Sequence, residues 1–433
     1  MGTRLASITK NKIPKSMVPV KGRPLLEWQI GELKKYGITE ITMIIGNLGD
    51  QIREHFGDGS AFGIRADYIV EETPLGTAGA FYYLKDRLKQ HGDTEFMLVF
   101  GDIFFDFDME RMIDFHHRKN AAVTLLAHPN MHPFDSDLVV TDPEGRVTGF
   151  DSKHNVRNYW YDNCVNAGIY VIDASVCGLV AEPVKTDFEH DVLAKMIEDA
   201  GNVYAYRTPE FVRDVGTVDR IEKTIGDIDS GLVAAKNLRK KQKAVFLDRD
   251  GVLNREVGFL SNIDDFELLP EAAEAVKLIN SSGYLAVVVT NQPVVARGEI
   301  TFEGLDEIFR KMKTLLGREG AYLDAVYFCP HHPDSGYEGE VKELKIKCHC
   351  RKPDTGMVEK AAEDFNIDPK ASWIIGDMTS DIELGKRAGL KTMLVRTGYA
   401  GTDGRFEVQP DHTEENILTA VRKILENETR EKQ

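Results

Sequence analysis

The segment AVFLDRDG, residues 244–251, is an apolar run that stops abruptly at Asp248-Arg249-Asp250-Gly251. Two further runs in the same half of the chain stop at polar residues in the same way. AVVV leads into Thr290-Asn291-Gln292, and WIIG leads into Asp377. Short, near-continuous apolar runs alternating with amphipathic segments are the pattern of parallel α/β sheets, whose strands are covered on both faces. In such sheets ligands bind beyond the carboxyl ends of the strands, so these endings predict one site at one sheet edge. An extended backbone sends Asp248 and Asp250 to the same side. Clustered carboxylates repel unless a cation or a shared proton intervenes. With Asp377 as a third acid, oxygen-only ligation suits Mg²⁺. Solvated loop acids would explain any one ending alone; together they predict a metal-assisted reaction centre.

Outward from this segment the pattern continues on both sides. The second half adds AVYFCP (325–330) and KTMLVRTG (391–398), with helical segments at 271–283 and 305–317. The first half has its own runs, ITMIIG (41–46), FMLVFGD (96–102), AAVTLLAH (121–128) and NAGIYVID (166–173), with helical segments at 25–37 and 79–92. The expectation is two Rossmann-like, parallel-sheet α/β domains, at 1–235 and 244–433, joined by a solvated basic linker, KNLRKKQK, at 236–243. The chain of 433 residues, 42% hydrophobic and 29% charged, is long enough for two full cores. Its 70 acidic against 54 basic residues, a formal charge of −16, disfavour nucleic acid or an anionic membrane as main partner. No apolar run reaches the roughly 20 residues of a membrane span, and the first residues do not form a secretory signal. With five cysteines and no disulfide pattern, a cytoplasmic protein is expected.

Three of those cysteines fall in Cys329-Pro330-His331-His332…Cys348-His349-Cys350-Arg351-Lys352-Pro353. C-x-H followed by C-x-C supplies three thiolates and an imidazole, a tetrahedral zinc set with no vacant position and hence structural. His332 and His349 are near enough to compete for the metal. Closing this loop would fix Arg351 and Lys352 where they can face a phosphate, so zinc would act on catalysis indirectly.

The acidic strand ends resemble the haloacid dehalogenase-like phosphatases. The resemblance implies that Asp248 attacks phosphorus, while Asp250 protonates the leaving oxygen and later activates water. Thr290 and Lys352 would hold the phosphoryl oxygens. Mg²⁺ would sit between Asp248, Asp377 and the backbone of Asp250, with Asp381 in a supporting role. Taken with TNQ, the Ala296-Arg297-Gly298 triplet and CPHHP…CHCRKP, residues 243–400 resemble the D-glycero-D-manno-heptose 1,7-bisphosphate 7-phosphatases. That pattern selects His331 as the fourth zinc ligand beside Cys329, Cys348 and Cys350, and adds Asn291, Arg297 and Arg351 to the substrate site. Histidinol-phosphate phosphatases share the scaffold and zinc loop and are the rival. Two departures lie near the substrate edge: Met378 replaces a usual Lys or Arg, and Pro293-Val294-Val295 replaces S-G-I.

The first half opens GTRLASITKNKIPK and adds PLGTAGA (74–80), Gly101-Asp102, VNAGIY (165–170) and Arg213-Asp214-Val215-Gly216-Thr217. Collectively these resemble sugar-1-phosphate nucleotidyltransferases. The resemblance implies a triphosphate held by Gly2, Thr3 and Arg4, with Arg4 and Lys15 stabilising the departing pyrophosphate. A second Mg²⁺ would lie on Asp102 and Asp214, the nucleoside on Gly76, Thr77, Ala78 and Gly79, and the sugar on Asn166 and Gly168. The sugar phosphate itself attacks, so no protein nucleophile is required. Ser152 in FDSKH stands where the family carries a Glu. The aromatic run Tyr159-Trp160-Tyr161 is read as packing. The family begins with an apolar strand entering G-G-x-G-T-R, so Met1 is expected to be internal to that motif, with the first strand missing from this chain.

The two resemblances fit one route. Removal of the 7-phosphate leaves a sugar 1-phosphate that the first half would consume, with GTP as donor because heptose activation in families of this fold uses GDP. The expectation is a bifunctional enzyme of surface-polysaccharide precursor synthesis; the alternative is a histidinol-phosphate-type phosphatase fused to a non-catalytic binding or assembly domain.

Overall fold

A computed structural model describes residues 12–336 and 338–431. Gly2, Thr3 and Arg4 of the expected triphosphate loop lie outside the described residues. The chain forms two compact units. One comprises residues 1–128, 139–151 and 165–237, and the other 129–138, 152–164 and 238–433.

In the first unit, β1 (Glu40–Ile45) and β2 (Arg65–Val70) pair in parallel. A six-stranded sheet contains β3 (Glu95–Val99), β5 (Val123–His128), β6 (Leu138–Thr141), β7 (Val147–Asp151), β8 (Val165–Asp173) and β9 (Val203–Arg207). Here β8 is antiparallel to both β3 and β5, while β9 runs parallel to β5, so this sheet is mixed. A separate antiparallel pair joins β4 (Ile103–Asp106) to β10 (Phe211–Asp214). The register of β8 against β5 slips between Asn166 and Tyr170. Gly168 sits in that irregularity at φ +72°, and a Cβ there would stand 2.9 Å from the Phe100 ring. Only glycine fits both the left-handed backbone and the close approach.

The second unit is an all-parallel six-stranded sheet. Its order is β13 (Ala325–Cys329), β12 (Tyr284–Asn291), β11 (Lys243–Leu247), β14 (Trp373–Gly376), β15 (Lys391–Val395), β16 (His412–Glu414). The apolar runs are continuous because both faces are covered. Val245, Leu247, Val288 and Ile375 enter a core shared with the helices Ala272–Asn280 and Phe302–Arg318. Ala244, Phe246, Val287, Val289 and Ile374 point the other way, into a core with the helix Gly356–Phe365. Each fully buried Val, Ile, Leu or Phe side chain contributes about 1.5–3 kcal/mol, an upper estimate set against an extended chain. Pairing of Leu247 with Ile375 and of Thr290 with Phe328 brings the carboxyl ends of four strands to one edge.

Two sequence expectations change. The stretch 236–243 is solvated only at its centre, residues 239–241, whereas Lys236, Asn237, Leu238 and Gln242 are buried. Its amides are used as structural hydrogen bonders: Asn237 Nδ2 donates to Asp106 Oδ1 at 2.6 Å, and the Gln242 backbone pairs with residues 366 and 368. A count of charges could not reveal this. The loops 129–138 and 152–164 also pack with the second unit. The backbone of Tyr161 exchanges hydrogen bonds with Thr314 Oγ1 at 3.0 and 3.1 Å, and Lys311 and Arg318 lie over the Trp160 ring. Trp160 and Tyr161 of the aromatic run are packing residues, while Tyr159 is exposed.

Candidate active site

Asp248 follows β11 directly, and its backbone N–H donates to the Ile375 carbonyl at 3.0 Å, which fixes it beside the end of β14. Asp377 begins the turn after β14, and Asp381 lies in the first turn of the helix Thr379–Ala388. Ligand atoms of Asp248, Asp377 and Asp381 lie within 4.8 Å of one another, and all three residues are buried. Lys352 Nζ lies against them, 2.8 Å from Asp248 Oδ1 and 2.7 Å from Asp381 Oδ1. One ammonium does not neutralise three carboxylates. Burial, then Asp248 and Asp381, push Asp377 up to about 9; burial likewise outweighs the attraction of Lys352 and raises Asp248 to about 7. Asp377 Oδ1 is buried without a hydrogen-bond partner among the described residues. This electron-rich oxygen set, short of positive charge, fits a hard divalent cation.

The approach to Asp377 is made possible by two glycines. Cβ atoms built on Gly251 and Gly398 would fall 2.4 and 2.1 Å from Asp377 Oδ2, and both residues have positive φ, +77° and +60°. The turn at 398 also lets the Tyr399 N–H donate to that oxygen at 2.7 Å.

The side chain of Asp250 is elsewhere, which corrects the expectation that both acids of the D-x-D segment face one ion. The alternation rule needs an extended backbone, and β11 ends at Leu247. Beyond it the chain turns back through Gly251 and a bridge between Asp250 and Asn254. The Asp250 carboxylate accepts from Arg249 Nε and Nη2 at 2.8–3.2 Å, from Asn254 Nδ2 at 2.9 Å and from Gln292 Nε2 at 2.9 Å. Burial would raise this acid, but the Arg249 guanidinium and the two amides hold it below the usual carboxylate range. The side chain that joins Asp248 and Asp377 is that of Asp381. Arg249, Asn254 and Gln292 were not anticipated as site residues. The signal was present in the middle residue of DRD and the last of TNQ.

Other expected residues divide between those at the centre and those turned from it. Thr290 is buried at the end of β12, its Oγ1 accepting from Gln292 Nε2 at 2.9 Å. Asn291 clamps the backbone of Lys352, accepting from its N–H at 3.0 Å and donating to its carbonyl at 3.2 Å. Arg351 Nη1 donates to the His331 carbonyl at 3.1 Å, and Arg297 stacks 4.2 Å over Phe259 while pairing with Glu299. Met378 donates its backbone N–H to Asp381 Oδ2 at 3.1 Å.

Cys329, His331, Cys348 and Cys350 also gather within 4.8 Å. Their sulfurs lie 3.1–3.5 Å apart, and His331 Nδ1 lies 3.3 Å from Cys350 Sγ. This spacing is too wide for a disulfide and fits four donors around one soft cation. His349 instead turns outward to Glu359 at 2.7 Å, and His332 lies 3.2 Å from the Asp334 N–H, outside the cluster.

In the first unit, Lys15 Nζ stands 3.7 Å from Asp102 Oδ2. Burial and then the charge of Asp214 raise Asp102, against the opposing pull of Lys15. The Val215 N–H donates to the Asp102 carbonyl at 2.9 Å, while Asp214 itself binds Arg220 at 2.5 Å. Gly76, Thr77 and Ala78 dock on residues 186–188: the Ala78 N–H donates to the Thr186 carbonyl at 3.0 Å, and Thr77 Oγ1 to Asp187 at 3.1 Å. Asn166 Nδ2 donates to Glu189 and to the Tyr170 hydroxyl, each at 2.8 Å, with Gly168 two residues on.

Comparison with known proteins accounts for both halves. Residues 1–230 match the family model described as nucleotidyl transferase, and residues 349–420 match one described as HAD-hydrolase-like. A D-glycero-beta-D-manno-heptose-1,7-bisphosphate 7-phosphatase of Haemophilus ducreyi is 43% identical over 163 residues, 37% of this chain and 87% of its own. A D-glycero-D-manno-heptose-1,7-bisphosphate 7-phosphatase of Thermosynechococcus vestitus is 38% identical over 185 residues, 41% of this chain and 93% of its own. Among solved structures, D,D-heptose 1,7-bisphosphate phosphatase from B. bronchiseptica, complexed with magnesium and phosphate, covers 43% of this chain and 99% of its own at 29% identity, with a TM-score of 0.38. The histidinol-phosphate alternative is not favoured by these relatives. The chain belongs to the nucleotidyl transferase family through its first 230 residues and, through a second HAD-like part, to the heptose-1,7-bisphosphate 7-phosphatases.

Proposed function

We propose that the second unit hydrolyses the 7-phosphate of D-glycero-D-manno-heptose 1,7-bisphosphate, and that the first unit transfers a nucleotidyl group from GTP to the resulting heptose 1-phosphate. The observation that carries the first half is the buried set of Asp248, Asp377 and Asp381 with Lys352 Nζ 2.8 Å from Asp248. The relatives' names supply the sugar, and the matched family supplies the transfer.

Asp248 is the nucleophile. Its attack on phosphorus breaks the bond to the sugar oxygen, which takes a proton from Asp250, and leaves an aspartyl-phosphate. Water taking the phosphoryl group from Asp248 returns a proton to Asp250 and frees phosphate. Lys352 and the Thr290 hydroxyl hold phosphoryl oxygens, and Asn291 keeps Lys352 in place. Asp248, Asp377 and Asp381 with the backbone of Asp250 would hold Mg²⁺, whose charge offsets that of the phosphoryl oxygens. The Cys329, His331, Cys348 and Cys350 set would hold a structural Zn²⁺ that anchors the segment carrying Arg351 and Lys352. In the first unit Asp102 and Asp214 would hold a second Mg²⁺, Lys15 would meet the pyrophosphate, Gly76 to Ala78 the nucleoside, and Asn166 and Gly168 the sugar. Among the described residues no helix is long and apolar enough to cross a membrane, and phosphorylated sugars with nucleoside triphosphate fit a cytoplasmic enzyme.

The test is a phosphate-release panel of both heptose 1,7-bisphosphate anomers against histidinol phosphate, with pyrophosphate release from GTP, ATP, CTP and UTP measured on heptose 1-phosphate. Preference for histidinol phosphate overturns the phosphatase assignment. No pyrophosphate from any nucleotide overturns the transferase assignment.

A further inference from the structure

We propose that Arg249, the residue between the two acids of the phosphatase segment, is a positioning residue that sets Asp250 for the water-activating step. This rests on the phosphatase reading above. Arg249 is fully buried although nothing in a strand-end turn requires an arginine there. Buried guanidinium groups are costly unless held against an anion. Here Nε and Nη2 grip both oxygens of Asp250, and the guanidinium carbon lies 5.7 Å from the centre of the Phe309 ring. Asn254 Nδ2 donates to Oδ1 and Gln292 Nε2 to Oδ2, each at 2.9 Å. The carboxylate is therefore indexed by three side chains from two parts of the chain, the turn 249–254 and the residue that follows β12.

Gln292 links this cradle to the phosphate site. Its Nε2 donates both to Asp250 Oδ2 and to Thr290 Oγ1, each at 2.9 Å. Because Thr290 Oγ1 accepts there, its own proton is directed away from Gln292 and is available to a phosphoryl oxygen. In the second step the water oxygen bonds to phosphorus, the bond from phosphorus to Asp248 breaks, and the water proton passes to an Asp250 oxygen. That proton replaces the one given to the sugar alkoxide in the first step, so the cycle consumes one water and regenerates both acids. A fixed carboxylate orientation serves this step most directly, since water must be caught between Asp250 and phosphorus.

The experiment uses the full chain and 4-nitrophenyl phosphate, whose leaving group departs without a proton. In Arg249→Lys, which keeps the charge and loses the fork, nitrophenolate should appear in a burst of about one equivalent. A steady rate about 10²-fold below that of the unaltered enzyme should follow, within the range typical of general acid–base catalysis. Asn254→Leu removes one donor at similar volume and should show the same burst with a smaller fall. Equal slowing of burst and steady rate in both variants, or an unchanged steady rate, overturns the proposal. If Arg249→Lys does not fold, by thermal unfolding and zinc content, the Asn254→Leu result decides. Absence of turnover and of phosphoenzyme in the unaltered chain overturns instead the phosphatase reading.

Discussion

Lys352 Nζ lies 2.8 Å from Asp248 Oδ1 in a setting where both side chains are less than a tenth exposed. Burial lowers the lysine, yet Asp248 and Asp381 outweigh it and keep the ammonium charged. Removing one partner of a buried pair leaves the other uncompensated, which costs about 3–5 kcal/mol. Lys352→Met is expected to lower the melting temperature and to reduce phosphate release by about 10²–10³-fold, the usual scale for losing a charge-stabilising donor. Steady-state assays and thermal unfolding on the same preparation check both.

Asp248→Asn is expected to abolish phosphate release while pyrophosphate release persists, and Asp102→Asn to do the reverse. The two acids belong to different compact units, each with its own strands and core. Parallel loss of both activities in either variant contradicts two independent reaction centres.

Gly398→Ala forces a side chain toward Asp377 Oδ2, where the built Cβ lies at 2.1 Å, at a backbone φ of +60°. Something must shift, and Asp377 Oδ2 is already held by the Tyr399 N–H at 2.7 Å. The expected result is at least about a tenfold rise in the Mg²⁺ concentration needed for half-maximal phosphatase activity, the scale seen when ligand orientation is disturbed. A titration of activity against Mg²⁺ reads this directly, with Gly404→Ala as a control in open space.

Cys348→Ser, or stripping of thiolate-bound metal, should expose the segment from 329 to 350 to protease and lower phosphatase activity at least about tenfold. Pyrophosphate release should be spared. Full phosphatase activity in protein shown by elemental analysis to lack zinc would count against a structural metal there.

His116 offers a pH signature in the first unit. It is buried on the helix Met109–Lys119, with Nδ1 2.9 Å from Thr124 Oγ1, and burial lowers its proton affinity despite the nearby Glu95. The folded state therefore resists protonation, whereas the unfolded chain binds a proton near pH 6.5. Stability from this group is present above about pH 6.5 and is lost as pH falls towards the lower folded value, with a slope of at most about 1.4 kcal/mol per pH unit. His116→Gln should flatten the melting temperature of the first transition between pH 7.5 and 5; an unchanged slope would refute the assignment.

The parts legible in sequence were those with a short physical rule. Continuous apolar runs located β11, β12 and β14, since burial on two faces leaves no room for alternation. Cysteine spacing located the thiolate cluster, because C-x-H and C-x-C place donors within reach of one ion. What escaped depended on where the chain turns. The side chain of Asp250 follows from the end of β11 at Leu247 and the turn at Gly251, which a rule for extended residues does not describe. The strands Ile103–Asp106 and Phe211–Asp214 are short and pair with each other across about a hundred residues of sequence, so neither announces itself locally. The buried amides of 237 and 242 were hidden by the charges around them.

The grip of Asn291 on the backbone of Lys352 has a consequence for how the intervening loop can vary. Residue 329 ends one strand, residue 291 ends its neighbour, and the two are paired in register. The lysine thus takes its address from the sheet, not from the length of chain that leads to it. Insertions or deletions between 333 and 347 should leave the ammonium where it is, so this excursion is free to be reshaped around new leaving groups while the chemistry beneath it stays fixed.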